Sequence, residues 1–301
     1  MRSDRTLPVS RRVVLTGAAV LVGATALGAA GVAADVLPGS AGIRRRLGWH
    51  GPDGVVPSVP RGLVSAQSLE SAARGTQVHL VTIVPEGVPA AGLPVLLALH
   101  GRGADAQTLV DLGLPELLTA AVRAGASPFA IAAVDGGDSY WHRRSGDDPQ
   151  AMLHDEVPGW LTAGGFGPVF GALGISMGGF GALLWARGAG SASRPAAIIA
   201  VSPALFSTWA DAKARNVFAD EADWAASEPL RHVDAIDGST LGVWCGAEDP
   251  FAAQARELAS KAHAAVSRFD SGAHDDGYWR RVLPEALAFA GAAAATSEQT
   301  R

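Results

Sequence analysis

Five uninterrupted apolar runs divide the chain: Pro94-Val-Leu-Leu-Ala-Leu99, Phe129-Ala-Ile-Ala-Ala-Val134, Val169-Phe-Gly-Ala-Leu-Gly-Ile175, Ala196-Ala-Ile-Ile-Ala-Val201 and Leu241-Gly-Val-Trp-Cys245. Each is too short for a core helix and lacks the polar alternation of a half-solvated strand. A strand buried on both faces fits all five. Helical periodicity lies between and around them: over 105–124, broken or bent near Pro115, over 150–163 with an interruption at Pro158, and over 177–187, 252–264 and 278–293. Val78–Val84 and Val266–Phe269 read as further strands at either end of the series. Strands alternating with helices in this way predict an α/β fold, a mostly parallel central sheet flanked by helices on both faces. No internal repeat is visible and only 202–238 is irregular over a long stretch. One α/β domain is therefore expected over 76–295.

Composition narrows what such a domain can do. With 301 residues, 48% hydrophobic and a formal charge of −5, the chain is too apolar for extended disorder. It carries no basic stripe of the kind that binds nucleic acid. Its one cysteine, Cys245, excludes an internal disulfide framework and any multi-thiolate zinc site. His79 has no partner at ligand spacing, so neither a metal nor another cofactor is expected. The N-terminus reads as an address. Arg2, Arg5, Arg11 and Arg12 stand against Asp4, and Val13–Ala34 then carries no charge. This is the basic-then-apolar order of an export signal over 1–34. Ser10-Arg-Arg-Val-Val-Leu15 resembles the twin-arginine type, and Val32-Ala33-Ala34 suits cleavage. A secreted protein is expected; the alternative is an uncleaved membrane anchor, since about 20 apolar residues can span a bilayer. Residues 35–75 open Pro- and Gly-rich and read as a linker or N-terminal arm.

The chemistry is signalled where the run ending at Ile175 passes without a gap into a helix. Gly174-Ile-Ser176-Met-Gly178 places a serine on that turn between two residues without side chains. A sharp strand-to-helix turn of this kind exposes a nucleophile, and the N–H of Met177 at the helix start can face a developing oxyanion. Serine needs a base oriented by an acid. Of the downstream histidines, His263 lies in a helical pattern and His232 in the irregular stretch. His274, in the loop after the last strand, is the favoured base, since ligands gather past strand carboxyl ends. Glu248 and Asp249 follow the preceding strand, and Asp249, ahead of Pro250, is the favoured acid. Asp275 and Asp276 stand too close to His274 to orient it and read as loop caps or substrate contacts. A second oxyanion donor is expected from His100-Gly101-Arg102-Gly103, through the N–H of Arg102 or Gly101, with His100 as a buried structural histidine. The loop Asp135–Arg144 combines polar, aromatic and basic groups and suits a substrate wall. Trp141 and His142 belong to it; Trp141 and Trp209 either line an acyl or aromatic pocket or serve as packing.

Together, His-Gly after a strand, G-x-S-M-G-G at the turn, G-x-x-D-x-F in the acid loop and G-x-H followed by Trp279 resemble one esterase branch of the α/β-hydrolases. That branch contains esterase D (S-formylglutathione hydrolase), feruloyl and acetylxylan esterases and the secreted mycolyltransferases of actinobacteria. The resemblance spans about 76–293 and implies Ser176 as nucleophile, Asp249 as acid and His274 as base. It also implies that 202–230 is the branch's insertion after the sixth strand. His-Gly-Arg-Gly departs from the mycolyltransferase pattern, and an export signal is at odds with a cytosolic formylglutathione role. The expected activity is hydrolysis of a small-molecule or cell-envelope carboxylic ester. The alternatives are acyl transfer to a sugar or alcohol and a non-catalytic cell-wall binding protein on the same scaffold.

Overall fold

The structure, a computed structural model, describes residues 50–189 and 194–299. The export signal expected over 1–34 and the first part of the linker lie outside them. Eight strands form one sheet in the order β1-β2-β4-β3-β5-β6-β7-β8. β1 (Leu63–Ser71) pairs antiparallel with β2 (Thr76–Val84), which pairs antiparallel with β4 (Ala130–Val134). From there the sheet is parallel, through β3 (Val95–Leu99), β5 (Val169–Ile175), β6 (Ala197–Val201), β7 (Leu241–Trp244) and β8 (Val266–Arg268). This is the α/β architecture that the apolar runs predict.

The reason is visible in how each run divides. Val95, Leu97 and Leu99 of β3 join one core layer and Leu96 and Ala98 the other; Ile198 and Ala200 of β6 likewise oppose Ile199 and Val201. Every residue of both strands is buried. One layer is closed by α5 (Met177–Gly188) and α8 (Ala252–Lys261), the other by α1 (Ala106–Asp111), α2 (Leu114–Arg123) and α9 (Asp276–Gln299).

Two helices show what the backbone decides. The helix expected over 105–124, broken or bent near Pro115, divides two residues earlier at Gly113, whose φ is +98°. A β-carbon there would lie 2.4 Å from a methyl of Val56, so the arm packs into the break. In the second case Pro158 does not interrupt its helix. A π turn at Met152–Glu156 separates α3 (Pro149–Ala151) from α4 (Val157–Ala163), and Pro158 falls in the first turn of α4, where no intrahelical donor is needed.

The expected arm over 35–75 contains β1, which the sequence reading does not anticipate. β1 is an edge strand with most side chains in solvent, so it carries few apolar residues and no clear period. Residues 52–56 are also anchored: Gly54 N–H donates to Gly277 O at 2.7 Å and the Arg281 guanidinium to Pro52 O at 2.6 Å. The irregular stretch holds α6 (Trp209–Lys213) and α7 (Glu221–Ser227). Glu228 pins it. This fully buried carboxylate accepts from the N–H groups of Phe206 and Leu230 and from Trp224 Nε1 at 3.1–3.3 Å. Burial pushes its pKa up to about 8, against the pull of those three donors.

Candidate active site

Ser176 stands between β5 and α5 with φ +58° and ψ −118°, a conformation that a residue with a side chain rarely adopts. The flanking glycines permit it. A β-carbon on Gly174 would lie 1.9 Å from Gly178 O, and one on Gly178 would lie 1.9 Å from Leu99 O of β3. The turn thus folds only with hydrogen at both positions, and Ser176 is carried out at the carboxyl edge of the sheet. Its N–H donates to Val201 O, and its own carbonyl accepts from Gly179 and Ala204.

His274 reaches it from the loop between β8 and α9. Its Nε2 lies 2.8 Å from Ser176 Oγ and its Nδ1 2.8 Å from Asp249 Oδ2. The sequence ranking of the histidines is matched by position: His232 bonds Ala225 O within the insertion, and His263 is exposed just past the end of α8, at φ +53°. The Asp249 side chain is fully buried, and its other oxygen accepts from Phe251 N–H at 2.8 Å. Burial, with Asp249 close by, keeps the Cys245 thiol protonated far above its ordinary range. Glu248, the other acid considered, serves the neighbouring loop by accepting from Gly272 N–H at 2.6 Å. Asp275 caps Tyr278 N–H and Asp276 pairs with Arg280, so the first is a loop cap and the second lines the cavity at the serine.

Aromatic rings hold the imidazole. Phe251 and Trp279 meet it edge-on, with centroids at 5.4 and 5.2 Å, and Trp279 Nε1 donates to Ser202 Oγ at 3.1 Å. Ser202 is a contributor that the sequence reading missed. It follows the run ending at Val201 directly, but nothing local tells a buried hydroxyl that holds a neighbouring ring from one that merely packs.

The donors expected for an oxyanion lie beside the serine. A β-carbon on Gly101 would stand 3.5 Å from Ser176 Cβ. The N–H groups of Gly101, Arg102 and Met177 have no acceptor among the described residues. Met177 is buried and opens α5, where a helix supplies no acceptor, so its N–H is left for an external oxygen. His100 is the structural histidine foreseen for this loop. Burial lowers its pKa and keeps it neutral, with Nδ1–H on Gly101 O at 2.8 Å and Nε2 accepting from Gly136 N–H at 2.9 Å.

Three expected substrate contacts are not where the sequence reading put them. Trp141 is fully buried, packed where a β-carbon on Gly136 or Gly181 would intrude to 2.3 or 2.5 Å, with its Nε1 donating to His100 O. It is packing beneath the oxyanion loop, not a substrate wall. His142 is buried too, between Ser139 O and Asp223. Trp209 packs at a tilt against Trp224 in the insertion, with ring centroids 6.3 Å apart. The cavity at Ser176, about 450 Å³, is lined instead by Leu109, Leu112, Ile175, Trp279 and Arg280 together with the oxyanion loop.

A hydroxyl, an imidazole and a buried carboxylate in series suit nucleophilic attack on a carbonyl, and the comparisons with known proteins show the family. The sequence profile of the family described as "Putative esterase" matches residues 71–290. The chain belongs to this family. No curated protein matches it. Among solved structures, a ferulic acid esterase is similar at TM-score 0.63 and 18% identity, over 77% of this chain and 98% of the other. The S-formylglutathione hydrolase of Agrobacterium tumefaciens gives 0.63 and 14%, over 79% and 98%. FphF, a fluorophosphonate-binding serine hydrolase of Staphylococcus aureus, gives 0.59 and 17%, over 76% and 98%. These likenesses establish the α/β-hydrolase fold for the esterase family member described here.

Proposed function

We propose that this esterase hydrolyses carboxylic esters through Ser176, His274 and Asp249. The observation that carries the reading is the unbroken series Ser176 Oγ, His274 Nε2, His274 Nδ1 and Asp249 Oδ2, with both contacts at 2.8 Å. His274 takes the Ser176 proton as Oγ attacks the ester carbonyl, and Asp249 holds the ring in the tautomer that leaves Nε2 free to accept. The tetrahedral oxyanion is received by the N–H groups of Met177 and of Gly101 or Arg102. His274 then protonates the leaving alcohol, and water attacks the acyl-enzyme by the reverse order of steps. Transfer to a sugar or alcohol would use the same residues.

Export belongs to the same proposal and rests on the basic and apolar order of residues 1–34. The test of activity is turnover of p-nitrophenyl esters from acetyl to palmitoyl, with and without glycerol or trehalose. Hydrolysis indifferent to acceptor and lost in Ser176→Ala is expected. Loss of ester with little free acid would replace hydrolysis by transfer, and turnover that survives in Ser176→Ala would remove the nucleophile.

A further inference from the structure

A second cavity of about 950 Å³ adjoins the first and shares Arg102 with it. Arg102 follows Gly101, the residue in van der Waals reach of Ser176, so its side chain stands where the two cavities meet. The second cavity is also lined by Arg143, Arg144, Asp138, Asp147, Asp223 and Asn216. Three guanidiniums on one rim stand out in a chain whose formal charge is −5.

Three carboxylates line the same cavity, and one of them, Asp147, is neutralised by a further arginine outside the lining. Arg74, itself buried, takes both oxygens of Asp147 at 2.7 and 2.9 Å. Asp223 accepts from Ala219 N–H at 2.8 Å and faces His142. Asp138 accepts from Gly103 N–H at 2.6 Å, which also ties the oxyanion loop to the loop after β4. The guanidiniums of Arg102 and Arg144, by contrast, make no hydrogen bond or ion pair among the described residues. Arg143 has only Asp148, at 3.6 Å, and its side chain is 82% exposed. Arginine presents a planar fork of donors that matches carboxylate or phosphate oxygens.

We propose that this cavity is an anion subsite, and that the preferred substrates are esters carrying a second, ionised acid group which Arg143 and Arg144 bind while the ester carbonyl lies at Ser176. The proposal rests on the ester hydrolase reading above and names its substrate class. The experiment compares two matched pairs: p-nitrophenyl hydrogen glutarate with p-nitrophenyl valerate, and 4-acetoxybenzoate with 4-acetoxybenzamide. In each pair the ratio of kcat/KM for the anionic to the neutral ester is measured in wild type and in the double variant Arg143→Gln/Arg144→Gln. The expected result is a ratio that falls at least tenfold in one pair, because intrinsic reactivity cancels between the two proteins. Unchanged ratios in both pairs, with Ser176-dependent turnover intact, overturn the subsite and leave the hydrolase standing. Absence of all turnover overturns the hydrolase instead. Calorimetric binding of glutarate and of 4-hydroxybenzoate then reads the subsite without chemistry: at least tenfold weaker binding of one of them by the double variant supports it, and equal affinities overturn it.

Discussion

Asp249 and Glu248 are neighbours in sequence with different duties. One carboxylate is buried against Nδ1 of His274, while the other holds Gly272 N–H and so the loop from which His274 projects. Asp249→Asn keeps the shape but supplies an amide where the imidazole needs an acceptor. It is expected to lower kcat on p-nitrophenyl acetate by about 10³–10⁴-fold, the scale set by wrong-tautomer substitutions in serine triads. Glu248→Gln, which still offers an oxygen to Gly272, is expected to cost less than about tenfold. The reverse ranking would move the acid by one residue. Ser176 was legible in the sequence because it follows an apolar run directly, and Asp249 and His274 because they lie in the loops past β7 and β8, where the chain order of the strands restricts which partners they can have. Trp141 was not. Its surroundings in sequence are polar and basic, and it is buried only because Gly136 and Gly181, the latter 40 positions away, leave room for an indole.

Elements carry the same lesson. The buried parallel strands were legible to within a residue or two, since burial on both faces leaves an unmistakable run. β1 was not, since an edge strand has no buried face to mark it. α5 illustrates how packing overrides propensity. Alanine normally stabilises a helix interior by about 1 kcal/mol relative to glycine. At Gly181, however, a β-carbon would stand 2.5 Å from Trp141 Cγ. Gly181→Ala is therefore expected to destabilise the fold by about 1–2 kcal/mol, the scale of overpacking less the helical gain, and to lower Tm. A raised Tm would contradict the packing described. The insertion offers a pH test. Glu228 ionises at about 8 in the folded chain, above its ordinary 4.5. Between those values the folded state keeps a proton that the unfolded state releases, so this group stabilises fully below about 4.5 and the contribution is lost as pH rises towards 8. Glu228→Gln removes that dependence. The fall in Tm from pH 5 to pH 8 should be smaller in the variant than in wild type, and equal falls would place the Glu228 pKa in the ordinary range.

At the scale of the whole molecule, the sheet's carboxyl edge gathers the loops after β3, β4, β5, β7 and β8, so groups far apart in sequence meet at one serine. Segments outside the apolar runs complete the fold. Residues 52–56 dock on Gly277, Arg281 and Gly113, and β1 covers the outer edge of β2. A chain beginning at Pro52 is therefore expected to melt several degrees above one beginning at Ala72. The shorter chain should also aggregate, because β2 then presents an unpaired edge. Equal melting of the two would show that the arm contributes nothing to the fold.

The central claim is that Ser176 is an activated nucleophile. Diisopropyl fluorophosphate forms a covalent phosphoryl adduct with such a serine by displacing fluoride, and intact-mass and peptide mass spectrometry locate it. The account predicts one adduct per chain, on the peptide containing Ser176, and greatly slowed labelling in His274→Ala. An adduct on another residue, or labelling of Ser176 at the same rate without His274, would contradict it.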